Sequence, residues 1–230
     1  MKHLLLATTL MGALAAALPA AAQSTAPTMT MSAATQAAAD APVGKAANTF
    51  MIRGRLIGVI PLNSNSSIDV IGGTVSTSNA VAPELDFSYF ITDNIALELI
   101  AATTKHSIYA NNSALGSKFK VGTTWVLPPT LLLQYHFMPK ERFSPYLGVG
   151  LNVTWFYATQ PANGLTSLAM KPNVGVALQA GFDYNFSGHW FANFDIKQIF
   201  LNANASVNGA IQAHTALNPL VIGAGIGYRF

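Results

Sequence analysis

The carboxy-terminal run from Leu220 to Phe230 alternates strictly in polarity. Positions 220, 222, 224, 226, 228 and 230 are apolar or aromatic, and the positions between them are mostly glycine, followed by Arg229. A period of two places successive side chains on opposite faces of a β-strand. A strand with one continuous apolar face and a final aromatic residue is typical of a wall with lipid on one side and a polar lumen on the other.

The composition supports a membrane-embedded chain. Of the 230 residues, 51% are hydrophobic and only 9% are charged, and the mean hydropathy is +0.36. A soluble domain carries about 25% charged residues. Beyond the amino-terminus, no stretch approaches the roughly 20 apolar residues of a membrane-spanning helix. Since lipid offers no hydrogen-bond partners to the backbone, a closed β-barrel is the expected alternative.

The amino-terminus has the features of a secretory signal peptide, which we place at residues 1–22. Lys2 precedes an apolar core, and Ala20–Ala22 provide a small-residue cleavage site. A retained membrane anchor is the alternative, although the apolar run is short for one. Residues 23–48 have no periodicity, and we expect a mobile periplasmic extension there, followed by the barrel at 49–230. Without Lys2, basic and acidic residues nearly balance, so the pI of about 9.2 does not indicate a nucleic-acid partner.

Alternating or apolar segments of the length of a tilted spanning strand occur eight times after residue 48. They lie at 49–60, 81–91, 94–104, 126–138, 143–157, 172–186, 189–200 and 215–230. Short turns alternate with longer polar segments, which we read as extracellular loops at 61–80, 105–125, 158–171 and 201–214. This alternation predicts an all-β fold: an eight-stranded antiparallel transmembrane up-and-down β-barrel in a bacterial outer membrane, with a periplasmic amino-terminus.

The parity of the strands separates charge from lipid. When Phe230 is assigned outward, each strand presents an apolar face to lipid and its charged residues to the lumen. We expect the inward charges to pair, because an isolated buried charge is costly. An eight-stranded barrel is just wide enough for side chains to fill, so an open ion-conducting pore is not expected. The predicted lumen charge network comprises Arg53, Arg55, Glu84, Asp86, Glu98, Asp183, Asp195 and Arg229.

Several motifs in the barrel region carry a family resemblance. They include Thr92-Asp93-Asn94-Ile95, Leu127-Pro128-Pro129-Thr130-Leu131 and the terminal Gly227-Tyr228-Arg229-Phe230. The motifs occur in this order along the chain. On these motifs, the chain resembles the outer membrane protein W family, which includes barrels implicated in the uptake of alkanes and other hydrophobic compounds. The resemblance implies an eight-stranded barrel whose upper lumen is a hydrophobic pocket, closed at its floor, from which substrate leaves sideways into the membrane.

The resemblance also implies two floor positions, one aliphatic and one aromatic, which fall on Ile100 and Lys197. Ile100 fits this pattern, whereas Lys197 departs from it. We therefore expect a more polar floor and a shallower pocket, with Lys197 paired with Glu98 or Asp195.

Pro128 and Pro129 stand next to each other at the outer end of the fourth predicted strand. Proline donates no hydrogen bond to a β-ladder and is normally confined to strand edges. Two consecutive prolines predict a small gap in the wall, which would serve as a lateral exit for an apolar substrate. The alternative is that they only mark the start of the strand, and the sequence does not decide between the two.

Apolar residues in the second predicted loop suggest a hydrophobic mouth to the pocket. We expect Trp125 and Leu127 to line it together with Phe156, which parity places inward near the top of the fifth strand. Apolar pockets with few polar groups suit hydrocarbon-like ligands, so the expected ligand is a small apolar molecule. The alternative is that these residues belong to the outer aromatic girdle or pack loop against loop.

We expect no catalytic site, metal site or cofactor. The five histidines are scattered, the chain has no cysteine, and His106 and Ser107 make a poor dyad because adjacent strand residues point to opposite faces. The expected partners are outer-membrane lipid and lipopolysaccharide. The function predicted first is passage of small hydrophobic molecules across the outer membrane. The alternative is a surface receptor, an adhesin or an envelope-structural barrel that acts through its extracellular loops.

Overall fold

The computed structural model describes residues 44–230, so the predicted signal peptide and residues 23–43 of the predicted extension lie outside the described residues. Among residues 44–230, no helix is both long enough and apolar enough to cross a bilayer. The same residues form fifteen β-strands, numbered in chain order: β1 (Phe50–Ile60), β2 (Ser64–Ile68), β3 (Thr74–Thr77), β4 (Ala80–Phe90), β5 (Ile95–Ala102), β6 (Thr104–Ser113), β7 (Gly116–Leu127), β8 (Thr130–His136), β9 (Phe143–Pro161), β10 (Leu168–Met170), β11 (Asn173–Ser187), β12 (Trp190–Phe200), β13 (Asn202–Val207), β14 (Ile211–Ala216) and β15 (Leu220–Arg229).

Eight of these strands close on themselves. Strands β11, β12, β15, β1, β4, β5, β8 and β9 pair in that order, and β9 pairs with β11 to complete the ring. All of these pairings are antiparallel. The predicted eight-stranded antiparallel up-and-down barrel is therefore confirmed.

The four predicted long loops are wrong as loops, because much of each one continues the barrel wall as β-structure. The segment 105–125 is almost entirely the β6–β7 hairpin, whose pairs run from Thr104–Val126 to Ser113–Gly116. Strands β10, β13, β14 and β2 form a second sheet from parts of the other three segments. Asn, Ser and Thr are frequent in these segments, and this polar composition obscured a burial alternation that the structure shows at Ile108 and Ala110.

The outer face of the barrel is apolar, as the parity of the strands predicts. Large hydrophobic side chains such as Leu56 (63% exposed) and Leu151 (60% exposed) point away from the lumen. At the periplasmic end, aromatic rings form a continuous group in which Tyr228 contacts Phe230 at 4.9 Å and Trp190 at 5.0 Å between ring centroids. An apolar band edged by aromatic residues matches a bilayer and its interface.

The interior is layered, and a single strand shows the order of the layers. Along β1 the inward side chains are Met51, then Arg53 and Arg55, then Ile57. Met51 belongs to a buried lower apolar cluster, whereas Ile57 belongs to a middle apolar cluster. A third cluster, the upper apolar cluster, joins the extracellular hairpins and consists of Ile68, Ile108, Ala110, Val121, Leu168, Val207 and Ala213. The two arginines therefore lie between the lower and the middle apolar clusters, and apolar side chains occupy the upper half of the lumen.

Candidate functional site

Two arginines of β1 organise the lower lumen. Arg53 lies 2.5 Å from both Asp86 and Glu98. Arg55 lies 2.7 Å from Glu84 and 2.9 Å from both Asp86 and Asp195. All of these side chains are buried. The structure thus brings together seven of the eight residues of the predicted charge network as one set of shared ion pairs, since Asp183 also lies 3.5 Å from Arg53.

We call the ion-paired residues Arg53, Arg55, Glu84, Asp86, Glu98, Asp183 and Asp195 the charge layer, and glutamine amides extend it across the barrel. Gln134 donates to Glu98 at 2.9 Å and to Gln179 at 2.8 Å, and Gln179 donates to Asp195 at 2.6 Å. Arg229, the eighth predicted member, lies in the lumen but interacts differently. Its guanidinium carbon is 5.4 Å from the centre of the Phe191 ring, and its Nε has no hydrogen-bond partner among residues 44–230.

The charge layer receives one further cation from outside the barrel strands. The Nζ of Lys45 lies 2.7 Å from Asp183, 2.7 Å from the Ser144 hydroxyl and 2.9 Å from the Nδ1 of His136. Lys45 belongs to the segment 23–48, for which the sequence predicts a mobile extension, and for residues 44–48 that prediction is wrong. The low-complexity composition of residues 23–48 gave no indication that Lys45 enters the lumen. The one available signal was that five inward carboxylates face only four inward basic residues on the strands.

Residues 44–49, which we call the periplasmic strap, follow the lower rim of the barrel. The Asn48 amide donates to the Phe90 carbonyl at 2.8 Å, the Ala47 amide to Asp93 at 3.1 Å, and the Lys45 amide to the Pro139 carbonyl at 2.8 Å. The Ala47 amide and Lys140 lower the pKa of Asp93, an exposed residue. Burial lowers the pKa of the Lys45 amine to about 8, against the attraction of Asp183. The strap therefore ties two periplasmic turns to the start of β1.

A cavity of about 90 Å³ lies directly above the charge layer. Glu84, Lys197 and Ile100 form its floor, and Lys197 lies 3.1 Å from Glu84 and 2.9 Å from Asp195. Of the two partners predicted for Lys197, Asp195 is one that the structure shows, whereas the second partner is Glu84 and not Glu98. The middle apolar cluster and Phe156 supply much of the wall, so the structure places Ile100, Lys197 and Phe156 around one space.

Hydroxyl groups interrupt this apolar wall. They belong to Thr77, Thr104, Thr124, Thr130, Thr154 and Thr215, which all line the cavity. Most of them are engaged within the protein; Thr104, for example, bonds to the Nε2 of His106 at 2.9 Å. Thr215 differs. The residue is only 7% exposed, and its buried side-chain oxygen has no hydrogen-bond partner in the described part of the chain.

The prediction that Trp125 and Leu127 line the pocket is wrong. Their neighbour Val126 faces the cavity, and side chains alternate along a strand, so Trp125 and Leu127 point outward. Trp125 stacks on Tyr157 with ring centroids 6.2 Å apart, and Leu127 is 37% exposed. The alternative assignment, to the outer surface, describes both residues.

The wall has a gap beside Pro128 and Pro129. The β5–β8 ladder ends at the pair Ile100–Thr130, and the β6–β7 ladder begins at Thr104–Val126. Among the described residues, no ladder pair joins 101–103 to 127–129. The carbonyl groups of the prolines turn to the other neighbour: Val153 donates its amide to Pro129 at 3.0 Å, and the Asn152 side chain donates to Pro128 at 3.0 Å. Strand β8 also begins directly after the prolines, so both readings of this motif describe part of its structure.

A second interruption of the wall is bridged by hydrogen bonds. The β12–β15 ladder ends at Gln198–Leu220, and β13 pairs with β14 from Asn202–Ala216. Between them, the Ile199 amide donates to the Pro219 carbonyl at 3.1 Å and the Leu217 amide to the Leu201 carbonyl at 2.9 Å. A single proline is therefore compatible with a closed wall, whereas the two consecutive prolines accompany an unpaired one.

The comparisons with known proteins agree with this architecture. The family model described as the OmpW family matches residues 46–230. An uncharacterized outer-membrane protein, y4mB, of Sinorhizobium fredii is 46% identical, covering 79% of this chain and 80% of the relative. Outer membrane protein W of Escherichia coli is 34% identical, covering 80% and 89%. The crystal structure of outer membrane protein OprG from Pseudomonas aeruginosa superposes with a TM-score of 0.75 at 29% identity, covering 81% and 98%. The chain therefore belongs to the OmpW family and is an integral β-barrel of the bacterial outer membrane.

Proposed function

We propose that the protein passes small hydrophobic molecules from its upper-lumen cavity sideways into the outer membrane. The observation that carries this proposal is the extent of the cavity lining. Ala102 and Pro128 stand on opposite sides of the wall gap, and both line the cavity. The cavity therefore reaches the only part of the β5–β8 side where the described ladder is missing.

The floor supports a lateral route over a vertical one. A molecule that continued toward the periplasm would have to pass Arg55, which is shared among Glu84, Asp86 and Asp195. Separating such buried partners is strongly unfavourable, because each would be left uncompensated in a medium of low dielectric constant. Passage through the wall gap requires no such separation, because no ladder hydrogen bond of the described chain joins residues 101–103 to 127–129 and none has to break.

The register around the gap makes the proposal directly testable. Ile100–Thr130 and Thr104–Val126 belong to the same antiparallel register, so no residue is inserted or deleted between them. An amide hydrogen at 128 could complete the ladder with residues 101–103, whereas one at 129, whose carbonyl already accepts from Val153, would strengthen the pairing with β9. We expect the double substitution Pro128→Thr, Pro129→Thr to close the gap and to reduce uptake to the level of cells without the protein.

The experiment measures uptake of a radiolabelled medium-chain alkane by cells that express the protein, the double variant or neither. Heat-modifiable gel mobility verifies that each barrel is folded and inserted. Pro145→Thr is the matched control, because Pro145 lies within β9 outside the cavity lining and the gap. Undiminished uptake by an inserted double variant would refute the lateral exit.

A surface-binding role is the second candidate, and one observation favours it. The upper apolar cluster packs the extracellular hairpins against each other above the cavity, where a smaller cavity of about 40 Å³ remains. A receptor or adhesin would use these hairpins as a rigid platform. If wild-type cells take up the alkane no faster than cells without the protein, this second candidate becomes the better account.

A further inference from the structure

We infer that the cavity floor selects a neutral amphiphile that carries a hydroxyl group, such as a medium-chain alcohol, over the hydrocarbon of the same length. This inference rests on the proposed function and concerns the same cavity. It follows from the hydrogen-bonding capacity of Lys197 and Glu84, the two charged residues that line the space.

Lys197 supplies a donor. A lysine ammonium group has three N–H bonds. Two of them are directed at Glu84, at 3.1 Å, and at Asp195, at 2.9 Å. Among the described residues, no third acceptor contacts Nζ. Because Lys197 borders the cavity and is only 2% exposed, its remaining N–H is available to a ligand inside the cavity and not to bulk water.

Glu84 supplies an acceptor beside that donor. Its ion pairs with Arg55 and Lys197 both use the same carboxylate oxygen, Oε1. A carboxylate has about four lone-pair sites on two oxygens. Glu84 also lines the cavity, so its second oxygen can accept a hydrogen bond from a ligand. A donor and an acceptor thus stand together at the bottom of an apolar space.

The local charge restricts the ligand further. Lys197 and Arg55 oppose Glu84 and Asp195, so these four side chains sum to zero. A ligand carboxylate would approach Glu84 without a free cation to compensate it, and an ammonium group would approach Lys197. A hydroxyl group is neutral, accepts from Lys197 and donates to Glu84. A hydrocarbon satisfies neither group, and a site built to bond a hydroxyl discriminates against analogues that lack it.

Thr215 is an independent sign that the cavity receives a polar group. Its hydroxyl oxygen is buried, lines the same space and has no partner in the described chain. Buried polar groups in proteins are nearly always hydrogen-bonded, so an unpartnered one in a cavity points to a ligand or to water. Thr215 lies above the floor, on β14, where it can contact the hydroxyl of an entering molecule before Lys197 does.

The test compares uptake of four radiolabelled compounds of equal chain length: the alkane, the primary alcohol, the carboxylate and the methyl ester. Each rate is taken relative to cells without the protein. We expect the wild type to favour the alcohol over the alkane. The charge-balanced double substitution Lys197→Met, Glu84→Leu should lower the alcohol-to-alkane ratio about tenfold. Lys105→Met, on the outward-facing side of β6, is the matched control and should leave the ratio unchanged.

A second variant keeps the test decisive if the double variant does not insert. Thr215→Val preserves shape and lies outside the charge layer, and we expect it to lower the ratio about threefold. If all four compounds enter no faster than in cells without the protein, the proposed function itself fails. If the alkane enters faster than the alcohol, or the variants leave the ratio unchanged, transport stands and the hydroxyl site is refuted. Preference for the carboxylate or for the ester, which has no donor, also refutes it.

Discussion

The lower and upper halves of the lumen are built by the same strands but differ in what closes them. In the lower half, Arg55 alone contacts four carboxylates through its two terminal guanidinium nitrogens. In the upper half, the inward side chains of Ile57, Ile100 and Ile199 pack without directional bonds, and a cavity of about 90 Å³ remains. The difference shows how a narrow barrel can combine a sealed floor with a chamber: two residues along one strand separate an ion-paired layer from an apolar one.

The largest effect should come from removing the arginine that organises the lower half. We expect Arg55→Met to cost about 3–5 kcal/mol in free energy of unfolding, because it leaves buried carboxylates uncompensated. Urea unfolding in lipid vesicles, followed by tryptophan fluorescence, measures this loss. Arg229→Met is the matched comparison, since Arg229 is also buried but stacks on Phe191. If the two substitutions cost the same, ion pairing does not explain the lower half.

A smaller loss should follow from removing the cation that the periplasmic strap supplies. Lys45→Met leaves Asp183 with Asn193 at 2.8 Å and Arg53 at 3.5 Å. We expect a cost of about 1–3 kcal/mol, the usual penalty for an under-satisfied buried polar group. The same unfolding measurement applies. Lys140→Met, on the exposed pair with Asp93, serves as the control and should leave the free energy of unfolding nearly unchanged.

In the upper half, trimming a side chain should be tolerated. We expect Ile100→Val to cost about 0.5–1.5 kcal/mol, because one methylene group is lost at the edge of an existing cavity. The larger chamber should accept a branched hydrocarbon better than the wild type does. Competition between a branched and a linear alkane in the uptake assay measures this change. A loss as large as that of Arg55→Met would contradict the distinction between the two halves.

The smallest effect concerns pH and the strap. Burial lowers the pKa of Lys45 from 10.5 to about 8 in the folded protein, so the unfolded chain binds the extra proton between these values. The free energy of unfolding therefore rises with pH as Lys45 loses its proton, by ~0.4 kcal/mol between pH 7 and 8. NMR of the labelled lysine amine gives the midpoint directly. A titration midpoint near 10.5 would show that the Lys45 amine is not buried in the lumen. The substitution Lys45→Met should remove this part of the pH dependence.

The sequence predicts those features of the fold that depend on side-chain parity. Strand number, the outward apolar face and the inward charges all follow from a period of two, and the structure places Arg53, Glu98 and Asp195 as expected. Parity also decides against Trp125 and Leu127, whose assignment to the pocket followed their hydrophobicity and overlooked their position relative to Val126. Applying the same alternation to the polar segment 105–125 would have corrected both errors.

Other features depend on contacts between distant segments, which no local pattern contains. Lys45 meets Asp183 across more than a hundred residues, from a segment without periodicity. The choice of Glu84 over Glu98 as the partner of Lys197 depends on how the barrel brings β4 near β12 in space. The unpaired stretch at 101–103 is foreseeable from Pro128 and Pro129, but the bridging of the wall at Pro219 is not, because it depends on backbone amides of two other segments.

The binding site of Lys45 is built from strands that come much later in the chain. Lys45 precedes β1, yet its amine binds His136, Ser144 and Asp183, which belong to β8, β9 and β11. Its binding site does not exist until those later strands stand side by side. The residue that precedes the whole barrel in sequence therefore completes its contacts only when three later strands are already paired.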